Sequence, residues 1–132
     1  MADTVQGKKI LIVDDDKFIL DLYVIKFSGA GYEVKTAEST DTGLKLIRAG
    51  YVPDVIMSDI VMPGMDGFEL LAAIRKEKLA PSALMIMLTN QGTSDDISRA
   101  KKLNVDGYIV KATTIPSEVL AEVERIISSK KT

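Results

Sequence analysis

Short apolar runs alternate along this chain with amphipathic stretches, and this alternation limits the possible folds more than any other feature of the sequence. The first run, Ile10–Val13, is continuously apolar and rich in β-branched residues, as expected of a strand covered on both faces. Further strands are predicted at Glu33–Ala37, Val55–Met57, Ala83–Leu88 and Tyr108–Val110. A helix is predicted after each strand, beginning near Lys17, Ser39, Gly67, Thr93 and Pro116. Strict alternation of strands and helices favours a parallel sheet with helices on both faces.

The second strand, Glu33–Ala37, differs from the others because polar and apolar residues alternate along it. Its charged residues are typical of an exposed edge strand. The doubly wound order 2-1-3-4-5 places this strand at an edge, so we predict an α/β fold with a five-stranded sheet of that order and five helices. In the first helix Phe18, Leu22 and Ile25 share one face, which we expect to pack on the sheet. The fifth helix is expected to bury Val119, Val123 and Ile126.

The residue types that are missing exclude several kinds of chemistry. The 132 residues include no Cys and no His, which excludes disulfides, thiolate metal sites, Cys nucleophiles and His-based catalysis. The net charge of −2 argues against non-specific nucleic-acid binding, which needs a basic surface. No apolar run has the length of a signal-peptide core or a membrane span, so we expect a cytoplasmic protein. The length fits a single domain over residues 1–132, with a core of about 8–127.

Polar residues follow four of the predicted strands. Asp14, Asp15 and Asp16 follow the first, Ser58 and Asp59 the third, Thr89 and Asn90 the fourth, and Lys111 the fifth. All strands of a parallel sheet end on the same side, where ligands bind near the reversal of strand order. Carboxylates with a nearby hydroxyl and ammonium suit Mg²⁺ and a phosphoryl group, and a carboxylate can be the nucleophile that forms an aspartyl phosphate. Taken singly, each residue also has a structural explanation as a helix cap, a turn residue or a surface charge.

Four sequence blocks resemble the receiver domain of two-component response regulators. They are Ile10–Asp16, Asp54–Gly67, Thr89 and Tyr108–Lys111, and the resemblance extends from about Lys8 to Ile127. It implies the flavodoxin-like fold that the strand order already predicts. The implied function is a phosphorylation-dependent signalling switch of the stand-alone type, not an enzyme that turns over a substrate.

The resemblance also implies where phosphorylation takes place. Asp59 would be the phosphoacceptor, and Asp14, Asp15, Asp59 and the backbone carbonyl of Val61 would hold Mg²⁺. Because the chain has no His, the phosphoryl group would come from a histidine kinase, a phosphotransfer protein or a small phosphodonor.

Three more residues would respond to phosphorylation according to the same resemblance. Thr89 and Lys111 would contact the phosphoryl group, and Tyr108 would change rotamer together with Thr89. An ordinary strand aromatic whose hydroxyl reaches water is the other interpretation of Tyr108. Phosphorylation adds about −1.5 to −2 charges and would alter a surface on helix 4, strand 5 and helix 5 that binds a downstream protein. We expect a monomer or weak dimer without direct contact with nucleic acid or membrane.

Several positions depart from the family pattern or occupy its variable sites. Ala112 follows Lys111 where the family usually has Pro; because a non-proline cis bond costs about 2.5–4 kcal/mol, we predict a trans Lys111–Ala112 bond. Asn90 stands where the family usually has a small residue, and we expect it to slow small phosphodonors by crowding Asp59. Val61 and Gln91 occupy positions at which family members tune the lifetime of the aspartyl phosphate. Val61 cannot position a water molecule, whereas Gln91 carries the groups to do so.

Two other functions are compatible with these residues. A pseudo-receiver would use the fold for binding without phosphorylation; Ala112 and Asn90 favour it, whereas the acidic set and Lys111 oppose it. A haloacid-dehalogenase-like phosphatase would use Asp14-Asp15-Asp16 as its Asp-x-Asp motif. Against the phosphatase, Phe18 replaces the usual Thr or Val, and the length leaves no room for a cap domain. Catalytic turnover of a phosphate ester would favour it.

Overall fold

The computed structural model describes residues 7–89, 93–111 and 115–130 of the chain. The strands are β1 (Lys9–Val13), β2 (Glu33–Ala37), β3 (Val55–Asp59), β4 (Leu84–Thr89) and β5 (Gly107–Val110). The helices are α1 (Lys17–Gly29), α2 (Thr40–Arg48), α3 (Gly67–Lys76), α4 (Ser94–Lys102) and α5 (Pro116–Ser129). The strands pair in parallel in the order β2-β1-β3-β4-β5, which confirms the predicted fold. Within the described ranges, no helix has both the length and the apolar character needed to cross a membrane.

The sheet separates two apolar layers because successive residues of a strand point to opposite faces. In β1, Leu11 and Val13 belong to the layer formed with α2, α3 and α4, whereas Ile10 and Ile12 belong to the layer formed with α1 and α5. All four side chains are completely buried. Among the described residues, strand β2 pairs only with β1, and exposed residues alternate along it with covered ones, as predicted for the edge of the sheet. The buried strands therefore lie in the centre of the sheet, and their carboxyl ends lie along the same edge of it.

Helix α1 buries a different face from the predicted one. Phe18 and Ile25 are 70% and 71% exposed, so the prediction that their face packs on the sheet is wrong. The buried residues of α1 are Leu20, Tyr23 and Phe27. Because α1 is apolar on most sides, its sequence pattern does not specify which side faces the sheet. The face predicted for α5 is confirmed, since that helix buries Val119, Val123 and Ile126.

The start of α3 packs directly against the end of β3. The Gly67 N–H donates to the Ile60 carbonyl at 2.9 Å, and a Cβ atom at position 67 would collide with the Asp59 carbonyl oxygen. The turn before α3 contains Gly64 with a φ of +77°, a backbone conformation that glycine adopts without steric cost. This close contact holds the Asp59 backbone in place.

The N-terminus of α3 is fixed by a reciprocal capping box. The Asp66 side chain accepts from the Glu69 N–H at 2.8 Å, and the Glu69 side chain accepts from the Asp66 N–H at 2.8 Å. Arg99 also donates to Asp66 Oδ2 at 3.2 Å, and its guanidinium lies 4.5 Å from the centroid of the Phe68 ring. The same aspartate therefore caps α3 and connects it with α4.

Replacing Asp66 with alanine is expected to lower the free energy of unfolding by about 1 kcal/mol, because α3 loses its side-chain cap. Asp66→Asn is the matched control, since its amide oxygen still accepts from the Glu69 N–H while the ion pair with Arg99 is lost. Urea unfolding followed by circular dichroism measures both variants. An equal loss in the two would assign the effect to the ion pair and contradict the importance of the cap.

Candidate functional site

The carboxyl ends of the central strands bring the predicted site residues to one edge of the sheet. Asp14 follows β1, Asp59 ends β3, Thr89 ends β4 and Lys111 follows β5. Asp14 is completely buried, and Asp59 and Thr89 are almost so. A cavity of about 450 Å³ opens beside them. Its lining residues are Asp14, Asp15, Asp16, Ile19, Tyr23, Asp59, Val61, Lys111 and Pro116.

The three consecutive aspartates after β1 have different surroundings. Asp14 is buried, and its Oδ1 accepts from the Asp16 N–H at 2.9 Å. Asp15 is exposed at the cavity. Asp16 caps α1 by accepting from the Phe18 N–H at 3.0 Å. The helix-cap explanation therefore holds for Asp16, whereas the carboxyl groups of Asp14 and Asp15 belong to the cluster around Asp59.

Lys111 supplies positive charge to this cluster. Its Nζ donates to Asp14 Oδ2 at 2.7 Å and lies 3.5 Å from Asp59 Oδ2. Burial alone would lower the pKa of Lys111, but the hydrogen bond to Asp14 and the charges of Asp14 and Asp59 together raise it above its ordinary value. The side chain is therefore an ammonium at neutral pH, and it is paired more closely with Asp14 than with Asp59.

The positive charge near Asp59 does not fully offset the effect of burial on its carboxyl group. Burial raises the pKa of Asp59 above its ordinary value, Lys111 acts in the opposite direction, and the charge of Asp14 adds to the increase. The Ile60 N–H lowers the pKa as well, but burial prevails. A cation close to this carboxyl would favour its ionised form.

Asp14, Asp15 and Asp59 have the arrangement of a metal-ion site. One carboxylate oxygen from each lies within 4.8 Å of the other two. Carboxylate oxygens are ligands of hard divalent cations, and a cation that keeps several water molecules needs open space next to its protein ligands. The exposed Asp15 and the open cavity provide that space. The residues present therefore fit a hydrated divalent cation.

Val61 and Tyr108, two further predicted site residues, differ in their exposure. Val61 is 75% exposed and lines the cavity. Tyr108 pairs with Met87 in the sheet, and its hydroxyl oxygen is buried, so the interpretation in which that hydroxyl reaches water does not hold here. Burial raises the pKa of Tyr108, Asp96 adds to the increase, and the Thr89 side chain opposes it. The side chains of Tyr108 and Thr89 are therefore near enough to interact.

Some predicted residues fall outside the part of the chain that the structure describes, and three residues that line the cavity, Ile19, Tyr23 and Pro116, were not predicted. Asn90, Gln91 and the Lys111–Ala112 bond lie outside the described residues. Tyr23 lines the cavity, although its local sequence does not mark it as functional. The spacing of residues along the predicted helix could have identified Tyr23, because Ile19 and Tyr23 continue the helix face that begins next to the aspartates.

Comparison with known proteins identifies the family. The family model of the response regulator receiver domain matches residues 10–124. This chain belongs to the response regulator receiver domain family. The phosphate regulon transcriptional regulatory protein PhoB of Pseudomonas aeruginosa is 33% identical over 121 residues, which are 92% of this chain and 52% of PhoB. The receiver domain spans about half the length of the curated relatives it matches.

Solved receiver structures have the same fold. The chemotaxis protein CheY4 of Vibrio cholerae has a TM-score of 0.82 and 31% identity, with 91% of this chain and 98% of CheY4 covered. A CheY-like receiver domain protein from Methanospirillum hungatei has a TM-score of 0.84 and 31% identity, with 94% and 96% covered. These similarities confirm the family resemblance that the sequence blocks indicated. They place this chain among the receiver domains of response regulators.

Proposed function

We propose that this receiver domain accepts a phosphoryl group on Asp59, with Mg²⁺ beside it, and reports the event to another protein. The observation that carries the proposal is the position of the Asp59 carboxyl group. It adjoins an open cavity, shares a cluster with Asp14 and Asp15, and lies 3.5 Å from the Lys111 ammonium. A nucleophile, a cation site and a fixed positive charge are the groups that phosphoryl transfer needs.

In the proposed reaction an Asp59 carboxylate oxygen attacks the phosphorus atom of the donor. The P–O or P–N bond to the leaving group breaks, the leaving group departs with the electron pair, and an acyl phosphate results. Asp14, Asp15, Asp59 and the Val61 backbone carbonyl would hold Mg²⁺, which neutralises phosphoryl charge when bound. Lys111 and the Thr89 hydroxyl donate hydrogen bonds to the phosphoryl oxygens. The acyl phosphate on Asp59 is itself the signal and persists until water hydrolyses it, so we propose that the domain is a switch and not a turnover enzyme.

The proposed phosphodonor, location and partners of the domain are consistent with this chemistry. The chain has no His, so a histidine kinase, a phosphotransfer protein or a small phosphodonor supplies the phosphoryl group. We assign residues 1–132 to a single receiver domain that acts in the cytoplasm as a monomer or weak dimer. Its contacts are with proteins, not directly with nucleic acid or membrane.

The surface of α4, β5 and α5 is the proposed reporter of phosphorylation. Among the residues of α4, Ala100 alone is buried, so little apolar contact holds this helix on the sheet. Tyr108 in β5 packs on the apolar layer that includes Ala100 of α4, and its side chain interacts with that of Thr89 at the end of β4. A change at Thr89 is therefore transmitted toward α4 through the Tyr108 side chain. This connection supports a shift in the populations of the conformations that the α4, β5 and α5 surface adopts.

Intact mass after incubation with acetyl phosphate and Mg²⁺ tests the proposal. We expect wild type to gain the mass of one phosphoryl group, and Asp59→Asn or addition of EDTA to prevent the gain. Asp54→Asn is the matched control, because Asp54 precedes the same strand but lies at its opposite end. It is expected to be phosphorylated like wild type.

Other outcomes would support different functions. No adduct on wild type, with Asn90→Ala equally inert, would indicate a pseudo-receiver, whereas recovery in Asn90→Ala would locate the obstruction at the entrance. An adduct that persists in Asp59→Asn would contradict the assignment of the phosphoacceptor. Repeated hydrolysis of a phosphate ester in excess over protein would indicate a phosphatase.

A further inference from the structure

The loop between β3 and α3, residues 60–66, is fixed at both of its ends. At its base the Ile60 carbonyl accepts a hydrogen bond from the Gly67 N–H at 2.9 Å. At its far end Asp66 caps α3. The segment between these ends begins with Val61, whose backbone carbonyl is a proposed ligand of Mg²⁺, so the conformation of this segment bears directly on the cation site.

One hydrogen bond holds the backbone of residues 61–65 within the part of the chain that the structure describes. The Thr40 hydroxyl donates it to the Met65 carbonyl oxygen at 2.7 Å, and no other hydrogen bond among the described residues reaches the backbone of this segment. The other contacts of the segment are apolar, since Met62 is buried and Met65 packs on the same apolar layer. Methionine side chains adapt easily to their surroundings, so the directional restraint on the segment comes from Thr40.

Thr40 is itself held firmly in place. It is the first residue of α2 and is only 1% exposed. Helix α2 packs on the sheet through Leu44 and Ile47, which are buried in the apolar layer shared with α3. Ser39 caps this helix by accepting from the Thr42 N–H at 3.0 Å, so the cap does not require the Thr40 hydroxyl. A buried hydroxyl on a fixed helix therefore holds a carbonyl that lies 25 residues later in the chain.

We propose that Thr40 is a positioning residue for the cation site, whose hydroxyl keeps residues 61–65 in the conformation in which the Val61 carbonyl binds Mg²⁺. The inference rests on the proposed function and deepens it by adding a residue of α2, which supplies none of the proposed ligands. A cation binds only those molecules whose ligands are in place, so its apparent affinity falls with the fraction of competent molecules. Without the Thr40 hydroxyl the segment adopts other conformations more often, and this fraction is smaller.

Calorimetric titration of the whole chain with Mg²⁺ tests this inference without requiring phosphorylation. Thr40→Val keeps the shape of the side chain but cannot donate a hydrogen bond, and its Kd for Mg²⁺ is expected to rise about fivefold, the effect of losing one hydrogen bond. Thr40→Ala is the second variant, because it places no methyl group against the Met65 carbonyl, and it should show the same increase. Thr40→Ser restores the hydroxyl and should return the Kd to that of wild type.

Thr42→Val is the matched control in the same turn of α2. Thr42 is exposed, and its Oγ1 accepts from the Ser39 hydroxyl at 2.9 Å. The variant therefore removes a hydroxyl from the start of α2 without touching the contact with Met65. It is expected to bind Mg²⁺ like wild type.

The rate of phosphorylation by acetyl phosphate gives a second measurement. In Thr40→Val the Mg²⁺ concentration at half-maximal rate should rise by the same factor as the Kd. The rate at saturating Mg²⁺ should match that of wild type, because the bound cation then selects the competent conformation. A loss of global stability alone would leave the half-maximal concentration unchanged, since the folded molecules would still bind the cation normally.

The possible results separate this inference from the proposed function. An unchanged Kd in Thr40→Val and Thr40→Ala would overturn the inference while the proposed function stands. An increase that Thr40→Ser or Thr42→Val shows as well would assign the effect to the packing of α2 and would also overturn it. If wild type binds Mg²⁺ but takes no phosphoryl group, the proposed phosphoacceptor is wrong, and the titrations still determine the role of Thr40. If wild type binds no Mg²⁺, the proposed cation site and this inference are both wrong.

Discussion

Replacing Gly67 with alanine is expected to lower the free energy of unfolding by about 3 kcal/mol, at the upper end of what over-packing costs. The added Cβ would collide with the Asp59 carbonyl oxygen and lie 2.8 Å from the Met87 methyl carbon. The Met87 side chain can turn aside, but the Asp59 oxygen belongs to the backbone of a buried strand and cannot. The start of α3 must therefore move away from β3, which also strains the hydrogen bond from the Gly67 N–H to Ile60.

Gly29→Ala is the control for this prediction. Gly29 is the last residue of α1. Apart from its chain neighbours and the backbone of α1, no atom lies within 4 Å of a Cβ added at this position. Alanine there should leave stability unchanged or raise it by about 0.5–1 kcal/mol, because alanine favours the helix. Urea unfolding with linear extrapolation measures both variants. A loss below about 1 kcal/mol in Gly67→Ala would contradict the close contact between α3 and β3.

Lys111→Met is expected to lower the free energy of unfolding by about 3 kcal/mol at neutral pH without divalent cations, because it leaves the buried Asp14 charge without its partner. Asp14 is fully buried, and the Lys111 side chain is only 11% exposed. Methionine retains much of the side-chain volume, so the loss reports on charge. Lys45→Met is the matched control, since it breaks an ion pair with Asp41 in which both side chains are 74% exposed. It should cost less than about 1 kcal/mol.

The Lys111→Met deficit should depend on pH. Burial already raises the pKa of Asp59, and without Lys111 the opposing influence is gone. A carboxyl group whose pKa is higher in the folded than in the unfolded protein binds protons more tightly when folded. It destabilises the folded state as the pH rises through that pKa. The deficit should therefore be largest at neutral pH and shrink as the pH falls through the raised pKa; a constant deficit would contradict this explanation.

Mg²⁺ should partly replace the missing ammonium. Because the Asp14, Asp15 and Asp59 carboxylates lie close enough to share a cation, a bound ion supplies the charge that Lys111→Met removes. Stabilisation by a ligand grows with its affinity for the folded state, so the midpoint temperature of the variant should rise more with Mg²⁺ than that of wild type. An equal rise in both proteins would show that Lys111 and the cation do not neutralise the same negative charge of the carboxylates.

The positions of the proposed phosphoacceptor and its neighbours could be predicted because each lies at the carboxyl end of a strand. Asp14, Asp59, Thr89 and Lys111 are far apart in the sequence, yet the carboxyl ends of parallel strands lie at one edge. Periodicity within strands is local, so it can be read directly from neighbouring residues. The unequal surroundings of Asp14, Asp15 and Asp16 could not be predicted, because three adjacent aspartates have the same local pattern.

The sequence by itself determined the α/β class, the strand order and the edge at which the acidic residues gather, because alternating elements and one polar strand leave few ways to build a parallel sheet. Only the tertiary structure decided how α1 turns about its axis, exposing Phe18 and directing Tyr23 to the cavity. It also decided that Lys111 pairs more closely with Asp14 than with Asp59. These choices depend on contacts between elements distant in the chain, and α1, apolar on most sides, carries no local signal that selects among them.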